Sequence, residues 1–452
     1  MQLPDPREAS VDVARPAYRW VVLAASVVVV MCTGVIYAFS VFAGPLGEAH
    51  GWSGAQVMLA FALNGAVAPV PMLLGGIALD RGWARQLMMT GAVLFGLGFA
   101  MTGTATTPVG LSLWYGVVTA FGVGFCYSTA VSNTIRYFPD RRGFAAGVIT
   151  AGVGASSVIG APVASAVIGS AGVSAAFVRM GLVYGVVALV AASFIRSAPT
   201  ARAARAGADA ATGDGATGDA AVGHGAVADG VPWYRMVRST RFFVIFALFA
   251  MSLFAPVMAL SQLSGIGQSS RFGLSAGTAA LFVAAFALAK AVGGPAWGVV
   301  ADRRGGPVTV TMLGAVSAVS LVVLLTVHSP VGFAIGVLGL GSTLGGVFGV
   351  FPALTMTTFG PRFQGTNYAI MFVAYAVAAF VGPRFAATQS VGGDYGVPFV
   401  VALVVSLGAV ALAPALRSRR APRRDPVAPE PARGSAPEQE PAPERVVVGA
   451  GR

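Results

Sequence analysis

Twelve apolar stretches, each about 20 residues long, constrain this chain more tightly than any other feature of its sequence. They cover residues 19–42, 54–78, 87–104, 109–135, 144–168, 175–195, 242–263, 276–300, 307–327, 331–358, 367–386 and 397–416. At about 1.5 Å per residue, an α-helix of that length crosses the hydrocarbon core of a bilayer. Apolar residues make up 56% of the chain and charged residues 10%, against roughly 25% charged in soluble domains. One or two soluble cores could not hide that much apolar surface, so the bilayer is the solvent that fits. The expected fold is an all-α membrane protein with twelve transmembrane helices in two pseudo-symmetric six-helix bundles. The stretch at 19–42 is too long for a signal-peptide core and is followed by further spans, so it reads as a retained first helix.

The net charge of +12 would suggest nucleic acid if it lay on one face of a soluble domain. Here the arginines fall between apolar stretches, which excludes a nucleic-acid partner and turns the charge into a topology signal. Connections after stretches 2, 4, 6, 8 and 10 hold Arg81, Arg85, Arg136, Arg141, Arg142, Arg196, Arg202, Arg205, Arg235, Arg238, Arg241, Arg303, Arg304 and Arg362, whereas the odd-numbered connections hold only Arg179, Arg271 and Arg384. Arginine-rich loops stay inside, so both termini and the central loop are expected in the cytoplasm of a cell-membrane protein. The organisation that follows is a segment at 1–18, a bundle at 19–195, a linker at 196–241, a second bundle at 242–416 and a tail at 417–452. Residues 197–231 are low-complexity Ala, Gly, Asp and Thr, the composition of a flexible linker. Pro232-Trp233-Tyr234-Arg235 and Arg238 read as a short interfacial segment, with aromatics at headgroup depth.

An internal repeat supports two halves. Gly76-Ile77-Ala78-Leu79-Asp80-Arg81 is echoed by Gly298-Val299-Val300-Ala301-Asp302-Arg303, an offset of 302 − 80 = 222. Phe138 and Arg141 are echoed by Phe359 and Arg362, an offset of 221. A carboxylate at the C-terminal end of its own helix opposes that helix's dipole. It is tolerated where it faces an arginine or the N-terminus of a neighbouring helix. Asp80 and Asp302 are therefore candidate residues of a cytoplasmic latch, with Arg81, Arg141, Arg303 and Arg362 as their basic neighbours.

Two six-helix halves, a long central loop and this Asp-Arg loop resemble the major facilitator superfamily over about residues 18–417. Four stretches resemble its oxalate–formate antiporter family, whose wider relatives include monocarboxylate transporters. They are Gly34-Val35-Ile36-Tyr37-Ala38-Phe39-Ser40-Val41-Phe42, Tyr137-Phe138-Pro139-Asp140-Arg141-Arg142-Gly143, Pro295-Ala296-Trp297-Gly298-Val299-Val300-Ala301-Asp302, and Phe351-Pro352-Ala353-Leu354 with Phe359-Gly360. The resemblance implies a basic residue in helix 8, another in helix 11, and aromatics around them. In this chain those two places hold Gly294 and Tyr375, which points away from a dianion such as oxalate.

The one lysine among 29 basic residues is Lys290, in the eighth stretch and one helical turn before Gly294. It lies ~18 Å or more from either end of its helix, too deep for its stem to snorkel easily. A charge near the bilayer centre costs at least ~3 kcal/mol unless it faces a polar cavity or a partner. No carboxylate lies inside the twelve stretches, so an anionic substrate in a central cavity is the natural counterion. The bland alternatives are snorkelling and carbonyl bonding within a packed interface. Tyr37, Ser40, Asn64, Tyr127, Asn133 and Tyr375 could hydrogen-bond a carboxylate, and for each of them glue between helices is as good a reading. Tyr37, Tyr127 and Tyr375 rank first, since hydroxyl-tipped aromatics suit a small polar solute in an apolar cavity.

The glycines inside the stretches, such as Gly91, Gly96, Gly98, Gly339, Gly341 and Gly345, read as close helix packing, and Cys32 and Cys126 as small packing residues. No Walker loop, nucleophile elbow or metal cluster is recognisable, so neither enzymatic activity, a metal nor any cofactor is expected. The partners expected are a small anionic substrate, membrane lipid and an exchanged or co-transported ion, and the chain is expected to act as a monomer. Few titratable groups lie in the stretches, which makes anion exchange or facilitated uptake simpler than proton symport. Within transport, the rival is efflux of an apolar or cationic compound, which leaves Lys290 unexplained. From another class, the rival is a membrane solute sensor that does not transport.

Overall fold

The structure, a computed structural model, describes residues 17–198, 230–390 and 394–416. The flexible stretch expected at 197–231 lies mostly, and the tail at 417–452 wholly, outside the described residues.

Among these residues twelve helices are long and apolar enough to cross a membrane. They are α1 (Tyr18–Ala38), α2 (Gly54–Asp80), α3 (Ala84–Thr102), α4 (Pro108–Tyr137), α5 (Arg142–Ala171), α6 (Val173–Ser193), α7 (Thr240–Gln268), α8 (Gly277–Arg304), α9 (Gly306–Thr326), α10 (Pro330–Phe359), α11 (Gln364–Ala386) and α12 (Gly396–Leu416). A lipid-embedded segment must satisfy its backbone polar groups internally, and the helix does so. Several helix starts carry a side-chain cap. Ser53 and Gln56 form a capping box at α2, and Ser239, Ser275 and Ser329 cap α7, α8 and α10. The chain turns out of α5, α8 and α10 through Gly172, Gly305 and Gly360, at φ 81, 86 and 85°, where a side chain would be strained.

The first helix departs from its expected end at residue 42. It passes through a 3-10 turn at Gly34–Ala38 and continues as Phe39–His50. The tighter turn falls where Gly34 meets Ser156 of α5, whose hydroxyl leaves no room for a Cβ at residue 34. The eleventh helix is also divided, into Gln364–Met371 and Val373–Gln389, with Phe372 at the junction. In membrane proteins, interrupted spanning helices commonly border binding sites.

The two halves meet along α5 with α8 and along α2 with α11, one pairing being the pseudo-symmetric counterpart of the other. Both contacts rest on glycine. A Cβ on Gly298 would overlap the Gly143 backbone, one on Gly147 that of Gly294, and one on Gly76 that of Gly365. Small residues allow helix backbones to approach this closely in lipid.

Candidate functional site

Lys290 sits 13 residues after Gly277 and 14 before Arg304, so about 20 Å of helix separates it from either end of α8. Its carbonyl packs against Gly345 of α10, where a side chain would collide with it. That contact fixes the α8 backbone at residue 290. The ammonium stands 5.7 Å from the ring centroid of Tyr37 on α1 and 5.8 Å from that of Phe348 on α10. Lys290 thus reaches Tyr37 of the other half of the molecule as well as Phe348 of its own. Both aromatic faces attract a cation, and neither neutralises it. Among the described residues no carboxylate pairs with it, since the ion pairs there belong to Arg19, Arg136, Arg141 and Arg271.

Of the three tyrosines ranked first, Tyr37 meets this lysine directly, while Tyr375 and Tyr127 connect to it through Phe348 and Phe372. Tyr37 on α1 is 49% exposed. Phe348, absent from the sequence reading, packs on Tyr375 at 5.5 Å and on Phe372 at 6.1 Å. Phe372 in turn meets Tyr127 at 5.8 Å, an aromatic contact that crosses between the halves. Phe348 was one of 28 phenylalanines in an apolar helix, with no signal to single it out. Of the side chain of Ser40 nothing is described.

Two sequence candidates stand elsewhere. Asn64 is 5% exposed and donates to the carbonyl of Tyr115 at 2.9 Å. Asn133 is 1% exposed, donates to the Arg196 carbonyl at 2.8 Å and accepts from the Ala198 amide at 3.0 Å. Asn64 is thus tied to α4, and Asn133 to the start of the central linker, by bonds to backbone groups. An amide is rare enough in an apolar helix to suggest a pore, yet a free carbonyl nearby claims it equally well. Asn133→Ala is expected to leave two groups unpaired at the start of the central linker. It should cost about 2 kcal/mol, read as a lower unfolding temperature of the detergent-solubilised protein.

At the arginine-rich end each aspartate of the internal repeat reaches into the opposite half. Asp302 on α8 accepts from the amides of Gly143 and Phe144 at 2.8 and 2.9 Å, at the N-terminus of α5. Asp80 on α2 accepts from the amides of Gly365 and Thr366, both at 2.9 Å, and from the Thr366 hydroxyl at 2.7 Å, at the N-terminus of α11. A carboxylate misplaced on its own helix is thereby well placed on its neighbour's dipole. Asp80 has in addition an ion pair with Arg136 of α4 at 2.5 Å, the two side chains only 7% and 9% exposed. The arginines named beside the aspartates do less. Arg81 and Arg303 are exposed, Arg141 lies 3.7 Å from Asp140 with 61% of its side chain exposed, and Arg362 stacks on its neighbour Phe363. Arg136 entered the sequence reading only as a topology marker, because chain order does not say that α4 runs beside α2.

Asp80→Asn is expected to remove the charge that holds Arg136 and α11 together, weakening this contact by about 2 kcal/mol. Spin labels on Arg81 and Arg362 would then report a second, longer distance. A single unchanged distance would contradict it.

The place where the family resemblance puts a basic residue in helix 8 is filled differently. A Cβ on Gly294 would meet the Gly147 carbonyl oxygen of α5 at 2.7 Å, so no long side chain fits there. The charge stands one turn away, at Lys290.

Comparison with known proteins agrees with this architecture. The family model described as the Major Facilitator Superfamily matches residues 23–383 and 242–448. The oxalate:formate antiporter of Oxalobacter formigenes is 28% identical over 399 residues, covering 87% of this chain and 90% of that one. Human monocarboxylate transporter 11 is 37% identical over 102 residues, or 22% of this chain and 21% of that one. Among solved structures, the human organic anion transporter MFSD10 superposes with a TM-score of 0.65 at 15% identity, over 87% of this chain and 99% of that one, a likeness of fold. With its twelve helices, two bundles and paired interhelical aspartates, the chain belongs to the Major Facilitator Superfamily and is a multi-pass membrane transporter.

Proposed function

We propose that this protein carries a small organic anion, a monocarboxylate, across the cytoplasmic membrane by alternating access, with Lys290 as the counter-charge to the carboxylate. The observation that carries this reading is the ammonium of Lys290, deep in α8 between the rings of Tyr37 and Phe348 and without a carboxylate partner among the described residues. A buried charge of this kind persists where a ligand of opposite sign completes it. The printed names of the relatives, an oxalate:formate antiporter and a monocarboxylate transporter, support an anion as cargo.

The positive-inside rule puts the arginine-rich end, and with it both termini, in the cytoplasm. With the Asp80 and Asp302 contacts closed there and Tyr37 accessible above them, the conformation suits the outward-facing state of such a cycle. In the opposite state those contacts would part and the same site would open to the cytoplasm. Asp80, Asp302 and Arg136 would act as the latch on the first state.

The test is counterflow in liposomes holding the purified protein. Labelled acetate or formate outside should accumulate when the same unlabelled anion is trapped inside. Accumulation of a neutral or cationic compound with no movement of either carboxylate would refute the proposal.

A further inference from the structure

We infer that the carboxylate recognised at Lys290 belongs to a monoanion with a flat apolar tail, and that Phe348 selects for that tail. The inference rests on the anion reading above and narrows it to a substrate class. An anion paired with the ammonium must lie against the rings of Tyr37 and Phe348, because both centroids are within 6 Å of the nitrogen. The body of the ligand then meets Tyr37, 49% exposed, with Phe348 and Phe372, 7% and 9% exposed, packed behind as an aromatic layer. Tyr375 stands edge-on to Phe348, at 61° between planes, and tilted to Phe372, at 41° and 5.1 Å. Tyr127 extends this layer into the other half through Phe372. Tilted and edge-on rings of this kind accept a further ring in the same geometry, which gives a planar group more than its area would.

No second cation is available for a second carboxylate among the described residues near this depth. Arg384 stacks on Phe380, which is 63% exposed on the outside of α11. Arg271 is held by Asp394 and the Leu325 carbonyl, and Arg179 is exposed on α6. Gly294 has only the backbone of α5 before it. A dicarboxylate would therefore leave one charge desolvated against aromatic carbon, at a cost that a tail of apolar atoms avoids.

The experiment is equilibrium binding of acetate, benzoate and oxalate to purified full-length protein, with Phe348→Leu, Phe348→Ala and Lys290→Gln alongside. For the wild type, benzoate should bind about tenfold or more tightly than acetate, and oxalate no more tightly than acetate. In Phe348→Leu, which keeps an apolar side chain of similar bulk, the benzoate-to-acetate ratio should fall below about threefold. Benzoate binding no better than acetate in the wild type, oxalate binding better than benzoate, or an unchanged ratio in both Phe348 variants would each overturn the inference. If acetate still needs Lys290 in those cases, the anion reading survives and only the tail preference falls. If all three ligands bind Lys290→Gln as well as they bind the wild type, the reading beneath it falls too.

Discussion

Lys290→Gln is expected to lower carboxylate binding and transport by ~100-fold, with folding intact. Removing one partner of a buried charge pair costs about 3 kcal/mol, mostly because the remaining charge is left without its counterion, and that corresponds to ~100-fold in affinity. The protein itself should tolerate the change, because among the described residues the ammonium meets two aromatic faces and no carboxylate. Glutamine keeps an unbranched stem, one atom shorter, and a hydrogen-bond donor, so a loss of function in this variant reports mainly on charge. Lys290→Arg is expected to retain part of the activity, since the charge remains while the planar guanidinium presents it with a different shape and donor geometry. Counterflow in liposomes at saturating and limiting anion reads both variants. Full transport by Lys290→Gln would remove the basis for the anion reading.

Gly298→Val is expected to abolish transport by a different route, by holding the arginine-rich end of the carrier open. A side chain at 298 would enter the space of the Gly143 carbonyl and the Phe144 amide, which are backbone atoms unable to swing aside. The same amides donate to Asp302, so the collision also breaks the contact that closes this end. Once α5 and α8 part at this end, the valine would meet lipid or water at little cost. The variant should therefore fold and purify as well as the wild type while trapped in one conformation. Gly76→Val, on the pseudo-symmetric contact of α2 with Gly365, should behave the same way. Spin labels on Arg81 and Arg362 would show the longer distance as the dominant population in both variants. Wild-type transport, or a dominant short distance, would rule out glycine packing as what permits closure.

Much of this was legible in the chain because hydropathy and charge are local. The twelve spans fell within a few residues of the helices found, save for the extension of the first helix to His50. The Asp80 and Asp302 repeat was readable for the same reason, since a carboxylate at the wrong end of its own helix needs a neighbour's N-terminus. That these neighbours are α11 and α5 was not readable, as pairing between helices is a property of the bundle. Asn64 and Asn133 show the converse. Their amides are polar enough to suggest a pore, but which carbonyl stands within 3 Å depends on how two helices happen to pass.

By itself the sequence determined the bilayer as solvent, the two six-helix halves, and the depth at which its one lysine would sit. A span's length and its count of charges settle those matters whatever lies beside it. Only the tertiary structure decided what that lysine faces. Gly345 lets α10 press against the Lys290 carbonyl, Gly294 and Gly147 bring α5 against α8, and the ammonium is left pointing at Tyr37 and Phe348. Which way a side chain points around a lipid-embedded helix follows from where small residues allow backbones to touch, and that is set by all the helices together.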